Sequence, residues 1–169
     1  MAKLIDYYCL ALKYVIALFL AVMVVLVFGN VVLRYGFNSG ITFAEELSRW
    51  LMVWLTFLGA VVALRERGHL GVDTLILLLP PLGKRLCFVV SYSLMLYADW
   101  LLLSGSWTQV LITAGDRAPA TSLSVGLFYG AGLAFGVSAG IILAYDLVRF
   151  LRGDLTDDEL VTVRESEEQ

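Results

Sequence analysis

Residues Tyr14 to Leu33 read YVIALFLAVMVVLVFGNVVL, twenty positions without a charge. A helix needs about 20 mainly apolar residues to cross a hydrocarbon core of about 30 Å, because lipid offers no partner to an open backbone N–H or C=O. The run is longer than the apolar segment of a signal peptide, and its lead-in carries Asp6 beside Lys3 and Lys13. No small-x-small cleavage pattern follows it, so it reads as a retained first span. Outward from it, the uncharged runs are Trp50 to Leu64, Leu86 to Gly115, interrupted only by Asp99, and Ala118 to Tyr145.

These runs predict an all-α integral membrane protein with four transmembrane helices, over about 14–33, 43–64, 88–111 and 122–147. The second reaches spanning length only if its helix begins near Thr42 and carries Glu45, Glu46 and Arg49 at the headgroup level. The third run is too long for a straight crossing and must tilt, kink or leave the bilayer before Gly115. Leu70 to Leu79 is too short to span and ends at Pro80 and Pro81, so a short interfacial helix over 70–79 is expected between the second and third spans.

Composition agrees: of 169 residues, 60% are hydrophobic and 16% charged, against roughly 45–50% and ~25% in soluble domains. Twelve basic and 15 acidic residues, one His and two Cys exclude a nucleic-acid binder relying on basic charge, a disulfide-stapled module and a multi-histidine haem or metal site. Nine of the 12 Lys and Arg lie in the N-terminus, the connection between spans two and three, and the C-terminus, against three for Arg34, Arg49 and Arg117. The positive-inside rule then places both termini in the cytoplasm, with Cys9 and Cys87 near the reducing face as thiols. Residues 154–169 read as an acidic, solvated cytoplasmic tail after a membrane domain over 1–153.

Several residues carry chemistry. Asn30 and Arg34 share a helix face at the outer end of span one. Glu45 and Arg49 are four apart with the acid first, the favoured ion-pair order. Arg65, His69 and Asp73 repeat that spacing at the inner end of span two. Adjacent Glu45 and Glu46 point about 100° apart on a helix and do not form an acid–base pair. Asp99 is the one charge inside an apolar run, and such residues face a bundle interior, a water cavity or a partner. Counting from Arg85 puts it nearer the outer leaflet than the midplane. Span four carries small residues every fourth position in two registers, one with Ser122, Gly126, Gly130, Ala134 and Ser138, the other with Gly132, Gly136, Gly140 and Ala144, which let helix backbones approach closely.

The segment Asn30 to Asp73 contains RYGFN, EELSR, WLTFLGA and RERGHLGVD in order. It resembles the small membrane subunit, of the DctQ type, of tripartite ATP-independent periplasmic (TRAP) transporters. The resemblance implies a sodium-coupled importer of organic acids in the bacterial inner membrane, in which a periplasmic binding protein (DctP type) delivers substrate to a large membrane subunit (DctM type). On that basis this chain is a non-enzymatic scaffold that braces the large subunit and helps dock the binding protein. Arg34, Glu45, Glu46, Arg49, Trp54, Arg65, His69 and Asp73 are the family-matched positions, expected to serve interfaces or folding rather than substrate. The resemblance assigns no cofactor to this chain, leaves sodium coupling to the large subunit, and leaves room for a phospholipid at the subunit interface.

The residues themselves point the same way. A self-sufficient secondary transporter shows paired repeats with broken helices around a polar midplane site, and the sequence has neither. The competing reading is a small homo-oligomeric transporter or channel that uses Asp99. A redox enzyme is disfavoured by the lack of a C-x-x-C pair, and no nucleophile beside a general base is visible.

Overall fold

In the computed structural model of the chain, residues 2–66 and 81–152 are described. Four long helices account for most of them: α1 (Ala2–Gly36), α2 (Thr42–Arg65), α3 (Pro81–Thr113) and α4 (Gly126–Leu151). Each contains a stretch long and apolar enough to cross a membrane. The only strand-like feature among the described residues is an isolated antiparallel bridge between Arg117 and Ser124. The expected interfacial helix over 70–79, His69, Asp73 and the tail over 154–169 lie outside the described residues.

Helices α1 and α3 run longer than their uncharged runs. Nothing in the polar lead-in from Ala2 breaks a helix, so α1 reaches back well before Tyr14. Pro81 opens α3, where its missing N–H costs nothing and its fixed φ suits the first helical turn. At the other end, α4 begins at Gly126 rather than near residue 122, because residues 114–125 form a hydrogen-bonded connection. Ser122, placed on the helix by its spacing, sits there at φ 58°, in the left-handed region.

Helix α2 packs against both α1 and α4, and α3 packs against α4, so the order in space is α1–α2–α4–α3. The two inner helices carry most of the buried side chains, and α1 and α3 present broad apolar faces outward. Leu12 of α1, Leu58, Val61 and Val62 of α2, and Ile142 of α4 form the core, with Phe19, Trp54 and Phe135 against it. Aromatic pairs extend the α2–α4 seam: Trp50 with Phe128, ring centroids 6.1 Å apart, and Phe57 with Phe135 at 5.8 Å.

The α3–α4 seam depends on glycine. A Cβ at position 136 would stand 2.9 Å from Leu103 Cδ1 and 3.4 Å from its Cα, and one at 126 would stand 3.2 Å from the Val110 carbonyl oxygen. Gly132 and Gly140 face Ser106 and Asp99 in the same seam. The other register divides between neighbours: Gly130 faces Trp54 of α2, and Ser138 meets Tyr8 of α1. Four-residue spacing of small groups thus serves three helix contacts within one chain.

Candidate functional site

The four helices place two polar clusters at opposite ends of the bundle and one buried acid between them. At the end formed by the α1–α2 and α3–α4 connections, Asn38 adopts φ 48° and lets the Ser39 N–H return to the Leu33 carbonyl, 3.0 Å away. The Asn30 side-chain oxygen accepts from the Ile41 N–H at 2.7 Å, fixing where α2 starts. Asn30 therefore works on its own connection rather than on Arg34.

Glu46, one turn into α2, holds the α3–α4 connection. Its carboxylate accepts from the Ala120 N–H at 3.0 Å, from the Thr121 N–H at 3.1 Å, and from the Thr121 hydroxyl. The connection is also braced internally. Ser124 donates to the Ala114 carbonyl at 2.8 Å, Arg117 to the Ser122 carbonyl at 3.1 Å, and Ala118 is buried. Below the clamp, the Trp54 indole N–H donates to the Leu127 carbonyl at 3.2 Å, tying α2 to the first turn of α4. Three family-matched charges stay outside this clamp. Arg34 and Glu45 line a cleft between α1 and α2, and exposed Arg49 lies near Glu46. The expected Glu45–Arg49 ion pair does not form within 4 Å; Arg65 with Asp6 and Lys13 with Glu66 pair instead at the other end of the bundle.

At the end bearing the termini, Arg65 directs both Nε and Nη2 to one oxygen of Asp6, at 3.1 and 2.8 Å, and Lys13 pairs with Glu66 at 2.5 Å. Both pairs latch α1 to α2. Tyr8 and Ser138 share a hydrogen bond of 2.8 Å between α1 and α4, and the buried Asp146 of α4 lies within electrostatic reach of Arg65. Arg65 thus works through Asp6, a partner that the spacing within α2 does not reveal. Asp146 lies one residue beyond the last uncharged run, which is why counting uncharged residues left Asp99 as the sole acid within those runs, although the expected fourth span over 122–147 already contained Asp146.

Asp99 is 9% exposed, and its Oδ1 has no hydrogen-bond partner. The carboxylate lies over Gly140, where a Cβ would come 2.9 Å from Oδ2. Because α3 extends from Pro81 to Thr113, Asp99 stands near the middle of its helix rather than close to the outer end. It faces the seam between two helices of its own chain. Among the described residues no three His, Cys, Asp or Glu side chains converge as metal ligands would.

The fold and these contacts define a class: a four-helix membrane subunit whose polar groups join its own helices and connections. Residues 23–153 match the family described as tripartite ATP-independent periplasmic transporters, DctQ component, and the chain belongs to that family. It is similar to two TRAP transporter small permease proteins of Haemophilus influenzae. One is 44% identical over 129 residues, covering 76% of this chain and 80% of that protein. The other is 33% identical over 147 residues, covering 87% and 89%. A C4-dicarboxylate TRAP transporter small permease protein of Vibrio cholerae is 36% identical over 95 residues, covering 56% of this chain and 41% of that one.

Proposed function

We propose that this small permease subunit is the brace of a sodium-coupled importer of organic acids. It packs beside the fixed scaffold of the large membrane subunit, and its loop-bearing end helps receive the periplasmic binding protein. Sodium and substrate are handled by the large subunit. Both termini face the cytoplasm of a bacterium whose inner membrane holds the complex. One observation carries this reading: Glu46, Arg65 and Tyr8 are engaged in joining this chain's own helices and connections, and Asp99 is buried in a seam between two of them. None of them is arranged around an open midplane site of the kind a transport subunit uses. The outward apolar faces of α1 and α3 supply area for a membrane partner.

Co-expression with the large subunit tests the proposal. A stoichiometric, detergent-stable complex is expected, with uptake into liposomes that requires both membrane subunits and the binding protein. Recovery of the chain only as a free monomer overturns it. Ion or solute flux through the chain alone, abolished by Asp99→Asn, would establish the competing self-sufficient transporter instead.

A further inference from the structure

The end of the bundle that bears the termini is charge-balanced on one side and cationic on the other. On the α1–α2 side, Arg65 and Lys13 are paired with Asp6 and Glu66. On the α3–α4 side stand Lys84 and Arg85 near the start of α3, and Arg149 and Arg152 at the end of α4. Contact between Phe88 and Phe150, ring centroids 4.6 Å apart, sets these two helix ends side by side. Lys84 lies one turn from Phe88 toward the end of the bundle, and Arg149 and Arg152, three apart, share a helix face beside Phe150. Residues 81–152 hold three acids, Asp99, Asp116 and Asp146. The first lies far along α3, the second in the connection at the opposite end, and Asp146 is buried within electrostatic reach of Arg65. Lys84, Arg149 and Arg152 enter none of the ion pairs found among the described residues.

We infer that the chain's own acidic tail docks on this patch, the carboxylates of residues 154–159 pairing with Lys84, Arg149 and Arg152. Charge complements the patch: residues 154–169 hold seven acids and one base, and four of the acids, Asp154, Asp157, Asp158 and Glu159, come within the first six positions. Reach allows the pairing. Helices in contact lie about 8–10 Å apart, and the seven residues from Gly153 to Glu159 extend over roughly 23 Å, enough to pass from the end of α4 to the start of α3. Attachment favours the tail over a free anion. A segment tethered by a few residues has an effective concentration in the millimolar range, so exposed pairs that are individually weak act together. Anionic headgroups are the natural competitors for the same cations, and a docked tail screens those cations from the membrane surface. Patch and tail lie on one side of the membrane whichever way the chain is oriented, so the inference does not depend on the transport role.

The test uses the full chain in phosphatidylcholine nanodiscs, treated with a water-soluble carbodiimide that joins an amine to a carboxylate only where the two touch, followed by peptide mass spectrometry of the monomeric band. Lys84 should form amides with the acids of residues 154–159, and Lys13 with Glu66, the second link reporting an intact fold. The double substitution Arg149→Gln and Arg152→Gln leaves Lys84 in place; it should lower the Lys84 link several-fold and spare the Lys13–Glu66 link. A Lys13–Glu66 link without any link from Lys84 to the tail overturns the inference, as does a Lys84 link that the double substitution leaves unchanged. A Lys84 link confined to the dimeric band also overturns it, because the patch would then receive the tail of a second copy. In phosphatidylglycerol nanodiscs the Lys84 link should persist. Its disappearance there would assign the patch to anionic headgroups and overturn docking of the tail.

Discussion

The carboxylate of Glu46, on α2, accepts hydrogen bonds from both the backbone N–H and the hydroxyl of Thr121, 75 residues further along the chain. With the Ala120 N–H as a third donor, one side chain holds the connection that must turn from α3 into α4. A carboxylate accepting several bonds is a stronger tether than a neutral amide, since charge-assisted bonds are roughly twice as strong.

Glu46→Ala should therefore loosen the connection while leaving the helices in place. Hydrogen–deuterium exchange is the direct measurement. The Ala120 and Thr121 amides should exchange several-fold faster, and those of α2 and α4 beyond their first turns should be unchanged. Equal protection at Ala120 and Thr121 in the variant would mean that Glu46 does not hold this connection.

Glycine replacements on α4 should follow the space each Cβ would meet. Gly136→Leu drives a branched side chain into Leu103, with no room behind the 3.4 Å approach to its Cα, and overpacking of this kind costs about 1–3 kcal/mol. Gly130→Ala meets Trp54 at 3.6 Å, an ordinary contact, and Gly59→Ala on α2 meets nothing within 4 Å. In thermal melts of the purified chain, the midpoint should fall clearly for Gly136→Leu and stay near the starting value for the other two. A Gly136→Leu variant that melts normally would show that α3 does not lie on this face.

The pairing of Asp6 with Arg65 spans 59 residues, and its separation explains what was readable beforehand. Tyr14 to Leu33 announces a span because lipid imposes length and apolarity on every crossing, a constraint written locally. The Gly132, Gly136 and Gly140 spacing likewise announces close approach, though not that α3 is the neighbour. Glu45 and Arg49 had the spacing of an ion pair, yet they do not pair, because a four-residue offset gives proximity without fixing where long side chains go. Glu46 stood beside them with nothing in its neighbourhood to mark it as the clamp; its donors come from a connection whose path exists only once α3 and α4 are packed. Asp6 and Tyr8 were equally silent, since their partners lie on other helices. The Asn30 to Asp73 resemblance did mark Glu46 and Arg65, but without saying what they touch.

The two ion pairs at the termini end should differ in strength. Arg65 is largely covered, its side chain 20% exposed, while Asp6 is 59% exposed, so screening limits the pair to about 0.5–1 kcal/mol at low salt. Lys13 and Glu66 are each about half exposed, at 48% and 45%, and pairs of that kind often contribute nothing measurable. Double-mutant cycles with Arg65→Gln and Asp6→Asn, and with Lys13→Gln and Glu66→Gln, resolve the two by denaturation in detergent. Coupling at the first pair that shrinks with added salt, and none at the second, is expected; the reverse order would contradict the burial argument.

Arg49 is exposed beside the Glu46 clamp and donates to none of the clamp's bonds, which leaves it available to a soluble partner. On the proposed docking role, Arg49→Glu should lower uptake by the reconstituted three-part transporter, and Arg49→Gln should do so less. Neither should change recovery of the complex of the two membrane subunits. The loss should be partly overcome by raising the concentration of the binding protein, as weakened docking requires. Unchanged uptake with Arg49→Glu would remove this patch from the docking surface.

Asp99 and Gly140 test whether the buried acid is part of the packing. A Cβ at position 140 would stand 2.9 Å from Asp99 Oδ2, so Gly140→Ala forces the carboxylate to move within a seam that already leaves Oδ1 without a partner. Asp99→Ala removes the obstacle and also the burden of a buried unpartnered polar group, which costs about 1–3 kcal/mol. Gly140→Ala should therefore lower the melting midpoint in the native background and have little effect in Asp99→Ala, a non-additivity of about 0.5–3 kcal/mol for residues in contact. If the two substitutions simply add, the carboxylate does not rest on Gly140, and α3 takes a different rotation about its own axis. Asp99 would then face outward from the seam, where the channel reading would again have an acid to use.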